Sequence, residues 1–194
     1  MSSELKVDTI SEKTSAAGVT IDGVLVKDSA IASSSITGLT DGVNFSCQQF
    51  RLNTNQTTTG SETVITVGWE VPDGTLQANF GNNVSESSGI FSFSKTGFYK
   101  IDAVVKGQGG TAGSAHHILY IVTTNDNFSS EDTIARAITQ EGGNGDTAPT
   151  SAVIDVTDLT NHKVKFSFYN GGGSIEGDTD QNRTFVTFTR LGDT

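Results

Sequence analysis

The stretch "FSFSKTGFYKIDAVV", residues 91–105, keeps one apolar parity across a "KTG" step. Phe91, Phe93, Tyr99, Ile101, Ala103 and Val105 all occupy odd positions. Successive side chains of a strand point to opposite faces, so each half presents its odd residues to a single core. The expected structure is a strand, a short step and a second strand, forming two edges of one sandwich that share a core face. Gly97 allows the bend between them.

Further strands follow the same logic on either side. "FSCQQFRL" (45–52), "TVITVGW" (63–69), "HHILYIVTT" (116–124), "TIARAIT" (133–139), "SAVIDVTD" (151–158), "KVKFSFYN" (163–170) and "RTFVTFTRL" (183–191) are separated by Gly- and Asn-rich turn clusters. In 63–69, Ile65, Val67 and Trp69 are expected on one face. No helix-period segment of useful length occurs, which predicts an antiparallel sandwich or barrel. "ILYIV" (118–122) is apolar at every position, so both of its faces need cover, and a subunit interface is the economical source.

Residues 1–42 differ in kind, because they contain no aromatic residue. "GVTIDGVLVKDSAI" alternates over "VTI" and "VLV" around Asp22-Gly23, a strong turn signal. No heptad survives, which excludes an α-helical coiled coil. Such a segment cannot enclose a core alone. It either stays disordered or joins identical copies in an intertwined stalk that buries Val19, Ile21, Val24 and Val26 together. The expected domains are therefore 1–42 and 43–194.

The 194 residues carry a formal charge of −10, which excludes a nucleic-acid partner, since nothing would neutralise a row of phosphates. The one cysteine, Cys47, rules out an intrachain disulfide framework and is expected as a small buried strand residue. "MSSELKVDTISEK" lacks an apolar core of signal-peptide length and no run spans a bilayer. Synthesis in a cytoplasm without membrane insertion is the expectation.

Little supports catalysis, and no cofactor is expected. His116 and His117 are adjacent and point to opposite faces of a strand, so they cannot chelate one metal together. One of them could meet its symmetry mates on a threefold axis, or they simply mark a polar strand end. Glu176, Asp178 and Asp180 alternate near a loop tip and are weak Ca²⁺ candidates, although the segment is not an EF-hand loop. Receptor contacts are expected from loops at the far end of the head. Candidates are Asn125, Asn127, Phe128, Asn144 and Asp146. Phe128 either stacks on a sugar ring or anchors its own loop.

"SSGIFSFSKTGFYKIDAVV" resembles the most recognisable strand pair of the C1q/tumour-necrosis-factor jelly-roll family, through Phe91, Phe93, Gly97, Phe98 and Tyr99. "FSCQQFRLNTNQTTTG", "VITVGWEVPDGTLQANF", "ILYIVTTND" and "RTFVTFTRL" resemble further family strands in the expected order. The step before Gly97 lacks the proline that many members carry, and residues 1–42 lack the Gly-X-Y period of the animal members' collagen stalk. The resemblance implies an all-β, antiparallel C1q/TNF-like jelly-roll sandwich over roughly residues 45–194. It also implies that Tyr99 meets neighbouring subunits, with Leu119 and Ile121 as further interface candidates.

"LKVDTISEKTSAAGVTIDGVLVKDSAI" is similar to the opening of structural fibre proteins from tailed bacteriophages. That resemblance implies a non-enzymatic virion component, released by host lysis. Leu5, Val7 and Ile10 would fix its N-terminus to other tail or capsid proteins. An extended β-rich stalk would form an intertwined homotrimer, with the head outward for host-surface recognition, on a glycan for instance. Capsid decoration or a head fibre is the alternative within the particle, and a free bacterial carbohydrate-binding lectin is the alternative outside it.

Overall fold

The computed structural model describes residues 45–57, 60–74, 77, 79–108, 116–140, 147–171 and 173–194, with the backbone of three short strands before them. The chain divides into two compact units, Met1–Asn44 and Phe45–Thr194.

In the first unit β1 (Val19–Ile21), β2 (Val24–Lys27) and β3 (Ala30–Ile31) form an antiparallel meander. Ile21 pairs with Val24 and Val19 with Val26, so only Asp22 and Gly23 connect the first two strands. The side chains of Val19, Ile21, Val24 and Val26, and all of Leu5, Val7 and Ile10, lie outside the described residues.

The second unit is all-β, with no helix among its described residues. Its longer strands are β4 (Ser46–Leu52), β8 (Val84–Ser87), β9 (Ile90–Phe93), β10 (Gly97–Gln108), β11 (His116–Thr124), β12 (Asp132–Gln140), β13 (Thr147–Val156), β14 (Lys163–Asn170) and β16 (Phe185–Gly192). Two-residue strands complete it: β5 (Gln56–Thr57), β6 (Thr63–Val64), β7 (Trp69–Glu70) and β15 (Ser174–Ile175). One sheet runs β5-β15-β10-β16-β4-β7, with β13 along the other side of β10. The facing sheet runs β12-β11-β14-β9-β8, with β6 on β14. Every pairing is antiparallel. Neighbours distant in sequence, such as β10 with β16, mark the Greek-key crossovers of a jelly roll.

The "KTG" step carries the chain from β9 in one sheet to β10 in the other. Phe91, Phe93, Tyr99, Ile101, Ala103 and Val105 all point into the shared core. Gly97 has φ +137° and packs so closely on the Gly192 carbonyl that a Cβ would collide with it. Phe91 meets Phe50 at 5.1 Å and Phe166 at 5.2 Å between ring centroids, both edge-on, and Trp69 closes the cluster at 5.5 Å. Edge-to-face rings of this kind add to the area term of burial.

Two strand expectations change, and one strand has no sequence signal. Residues 63–69 are not one strand: β6 belongs to one sheet and β7 to the other, and Gly68 turns between them at φ +85°. Ile65 is therefore buried while Val67 is exposed. The strand β8 carries the sequence VSES, whose small polar residues give no apolar alternation to read. Cys47 faces solvent, because the inward positions of β4 are Ser46, Gln48, Phe50 and Leu52.

Candidate functional site: an uncovered apolar sheet face

The outer face of β4-β16-β10-β13 is assembled row by row from the strand register. Cys47 lies opposite Thr189, Thr189 opposite Lys100, and Lys100 opposite Val153. Phe80 bridges Cys47 through two backbone hydrogen bonds of 2.8 and 2.9 Å. Toward the start of β4, Phe98 lies opposite Gly192 on one side and Asp155 on the other, and Phe45 and Leu191 continue the parity of Cys47 and Thr189. These five apolar side chains are 40% (Phe98) to 65% (Phe80) exposed, with Val153 at 59%. Single exposed apolar residues are ordinary on a surface, but five on one sheet face, with Thr189, Lys100 and Asp155 between them, make this face a candidate for interaction. The polar residues between them are mild. Lys100 pairs with Asp102 at 2.9 Å, and both are exposed, so the pair contributes little.

Tyr99, Leu119 and Ile121 do not belong to this face. All three are fully buried within a single chain, so their side chains cannot reach a neighbour. Tyr99 donates its hydroxyl hydrogen bond to the Lys95 carbonyl at 2.8 Å, and burial raises its pKa. Of "ILYIV", Leu119, Ile121 and Val122 are buried, and only Ile118 and Tyr120 stay half-buried on the outer side. Ile118 lies opposite Ile138, which is itself exposed.

The loop candidates separate to opposite ends of the sandwich. Thr124 pairs with Lys163 and Thr123 with Asp132, which places loop 125–131 at the end where the chain enters β4. Asn125, Asn127 and Phe128 are therefore not at the far end, as the sequence reading had them. Phe128 and Asn127 take φ +65° and +56°, and the Lys165 ammonium sits 4.6 Å from the Phe128 ring centroid. Asp126 holds the loop by accepting hydrogen bonds from the Ser130 hydroxyl and backbone N–H and from the Thr124 hydroxyl. These bonds keep its carboxyl down at about 2. Gln140 and Thr147, which flank Asn144 and Asp146, lie at the other end, and the two candidates themselves fall outside the described residues.

The far end also holds the three carboxylates weighed for Ca²⁺, where protein cations replace a metal. Glu176 is buried, pairs with Arg183, and meets Lys106 at 3.1 Å. Burial pushes its pKa up, but the hydrogen bonds from Arg183 and Lys106 outweigh burial and hold it low. Asp178 accepts the backbone N–H of Asp180 at 2.8 Å and of Gln181 at 3.0 Å, and pairs with Arg183 Nε at 2.9 Å. Asp180 faces solvent. Arg51, fully buried, ties the same end together by reaching Glu70 at 2.7 Å and Asp73 at 2.8 Å. Among the described residues no group of three or more His, Cys, Asp or Glu side chains is placed to hold a metal. His116 is exposed, whereas His117 is buried against Gly107, where no Cβ would fit, and so cannot reach a symmetry axis.

No protein-family model and no curated protein matches the sequence. Solved structures do match in fold. Murine APRIL, crystallised at pH 5.0, aligns with a TM-score of 0.56 at 13% identity, covering 76% of this chain and 99% of that one. The Eiger TNF from S. frugiperda aligns at 0.54 and 12% identity, covering 78% and 95%. At such identities the likeness concerns the fold alone: the chain carries a TNF/C1q-like jelly-roll head.

Proposed function

We propose that this chain is a non-enzymatic, homotrimeric structural protein of a tailed-phage particle. Its N-terminal segment would attach to the particle and its jelly-roll head would project for host-surface recognition. The observation that carries self-association is the exposed apolar group Phe45, Phe80, Phe98, Val153 and Leu191 on one sheet face. A flat face of this kind is covered most simply by copies of itself, and a closed ring of copies leaves none of it exposed. The particle assignment is supported by the resemblance of residues 5–31 to phage fibre openings. Three copies of one head, repeated over many fibres, would turn weak contacts into avidity. The acidic surface would keep particles dispersed.

Sedimentation equilibrium of the purified full chain tests the assembly, with three times the 20.3 kDa chain mass expected. A stable monomer at micromolar concentration overturns it. Cryo-electron microscopy of the particle then tests the role: density for the head on tail fibres supports it, and density lying on capsid threefold positions replaces it with decoration.

A further inference from the structure

On the side of the sandwich where β4 and β7 face β8, the two sheets do not close, and a cavity of about 450 Å³ remains. Its size is that of a small-molecule site. Its floor is locked. The Gln48 side chain donates to the Val84 carbonyl at 2.9 Å and accepts from the Val84 N–H at 2.6 Å. Asn79 does the same for Gln49, accepting its N–H at 2.9 Å and donating to its carbonyl at 3.4 Å. Side-chain amides thus stand in for a missing strand partner on both lips of the groove.

The walls combine two chemistries. Trp69 and Val71 supply apolar surface, the indole being held by an Nε1 hydrogen bond to Ile65 at 3.2 Å and by the rings of Phe91 and Phe166. Asn82 and Glu86 supply polar groups. Glu70, next to Trp69 in β7, turns to the opposite face and pairs with Arg51, while Glu86 gives one oxygen to the Gly89 N–H. Among the described residues the second oxygen of Glu86 and the side chain of Asn82 have no protein partner.

We infer that this groove binds a neutral saccharide. Sugar rings offer an apolar C–H face to an indole and hydroxyl donors to carboxylates and amides, which is the mixture present here. Among the described residues no lysine or arginine lines the cavity, so an acidic sugar would meet the Glu86 carboxylate and no cation. Strand addition by a peptide at Val84 is excluded, because Gln48 already holds both of its backbone groups. The fixed floor lowers the ordering cost of binding.

This inference deepens the host-recognition reading above, and the two fail separately. Trp69 is the chain's one tryptophan, so fluorescence excited at the red edge, where the three tyrosines do not absorb, reports on this groove. Full-length protein is titrated with gluco-, manno-, galacto- and N-acetylglucosamine oligosaccharides of two to four units. At least one series is expected to give a saturable change with a Kd of about 0.1–10 mM. Asn82→Ala with Glu86→Gln should weaken it by about tenfold or more. Val71→Arg, at an exposed position lining the groove, should block it with the melting temperature unchanged. No saturable change with any series overturns the proposal. So does a change that survives both variants, or equal binding of uronic-acid oligomers or basic peptides. Sugar binding without particle association would leave the groove standing and sink the fibre role, and particle association without sugar binding would do the reverse.

Discussion

Gly97 lies against the carbonyl oxygen of Gly192 with no room for a Cβ between them, at a φ of +137°. The contact joins the start of β10 to the end of β16, next to the irregularity between Phe98 and Tyr99. Gly97→Ala would impose both a left-handed strain and a backbone collision. The expected cost is at least about 2 kcal/mol of unfolding free energy, read from urea denaturation. An unchanged midpoint would show that β10 and β16 part easily at this point.

Phe91 tests the core. It is fully buried, with Phe50, Trp69, Phe166 and Phe188 around it. Phe91→Ala should cost about 3–5 kcal/mol through lost transfer energy and the cavity left behind. Phe91→Leu should cost clearly less, because it fills part of that space. Equal losses for both would mean that ring geometry outweighs volume here.

The exposed apolar face predicts an assembly defect separable from folding. Phe98→Glu with Val153→Lys replaces two of the exposed apolar side chains on this face with charges. Both positions are exposed in the single chain, so the variant chain should keep its β-sheet fold, read as an unchanged far-ultraviolet circular dichroism spectrum. Sedimentation should meanwhile shift toward single chains. Trimers that persist in this double variant would move the interface elsewhere, with the outer face of β11 and β12 around Ile118 and Ile138 the next candidate.

Acid should loosen the far end first. The folded pKa values of Glu176 and Asp178 lie below their ordinary 4.5 and 3.8, so in each case the deprotonated form is the one the fold prefers. Their stabilisation is fully present above that range and is lost as pH falls through the depressed folded values. Hydrogen exchange across residues 176–184 should therefore accelerate below about pH 4 while β9 and β10 stay protected. Arg183→Ala should produce the same local opening at neutral pH. Uniform acceleration over the whole head would deny the ion pairs any local role.

The strand pair around Gly97 was legible because alternation reports directly which residues share a face. It did not report which of two faces looks inward when both are apolar. "ILYIV" therefore gave no way to tell Leu119 and Ile121, now inside, from Ile118 and Tyr120, now outside. The run 63–69 misled for a related reason: Ile65, Val67 and Trp69 alternate correctly, yet Gly68 at φ +85° sends them to different sheets. The groove was hidden because Trp69, Gln48 and Glu86 come from three separated segments, and only long-range pairing brings them to one opening.

Composition, turn spacing and parity by themselves determined an all-β chain with a distinct N-terminal part and a sandwich entered through Phe45. These are local properties, set by side-chain alternation and by where glycine relieves the backbone. Tertiary structure alone decided that Tyr99 is core, that loop 125–131 and residues 174–183 lie at opposite ends, and that Arg183 and Lys106 neutralise Glu176. It alone placed Phe45, Phe80, Phe98, Val153 and Leu191 on one face. Each of those facts depends on strands far apart in sequence meeting in a fixed register, and no local pattern encodes that partner choice.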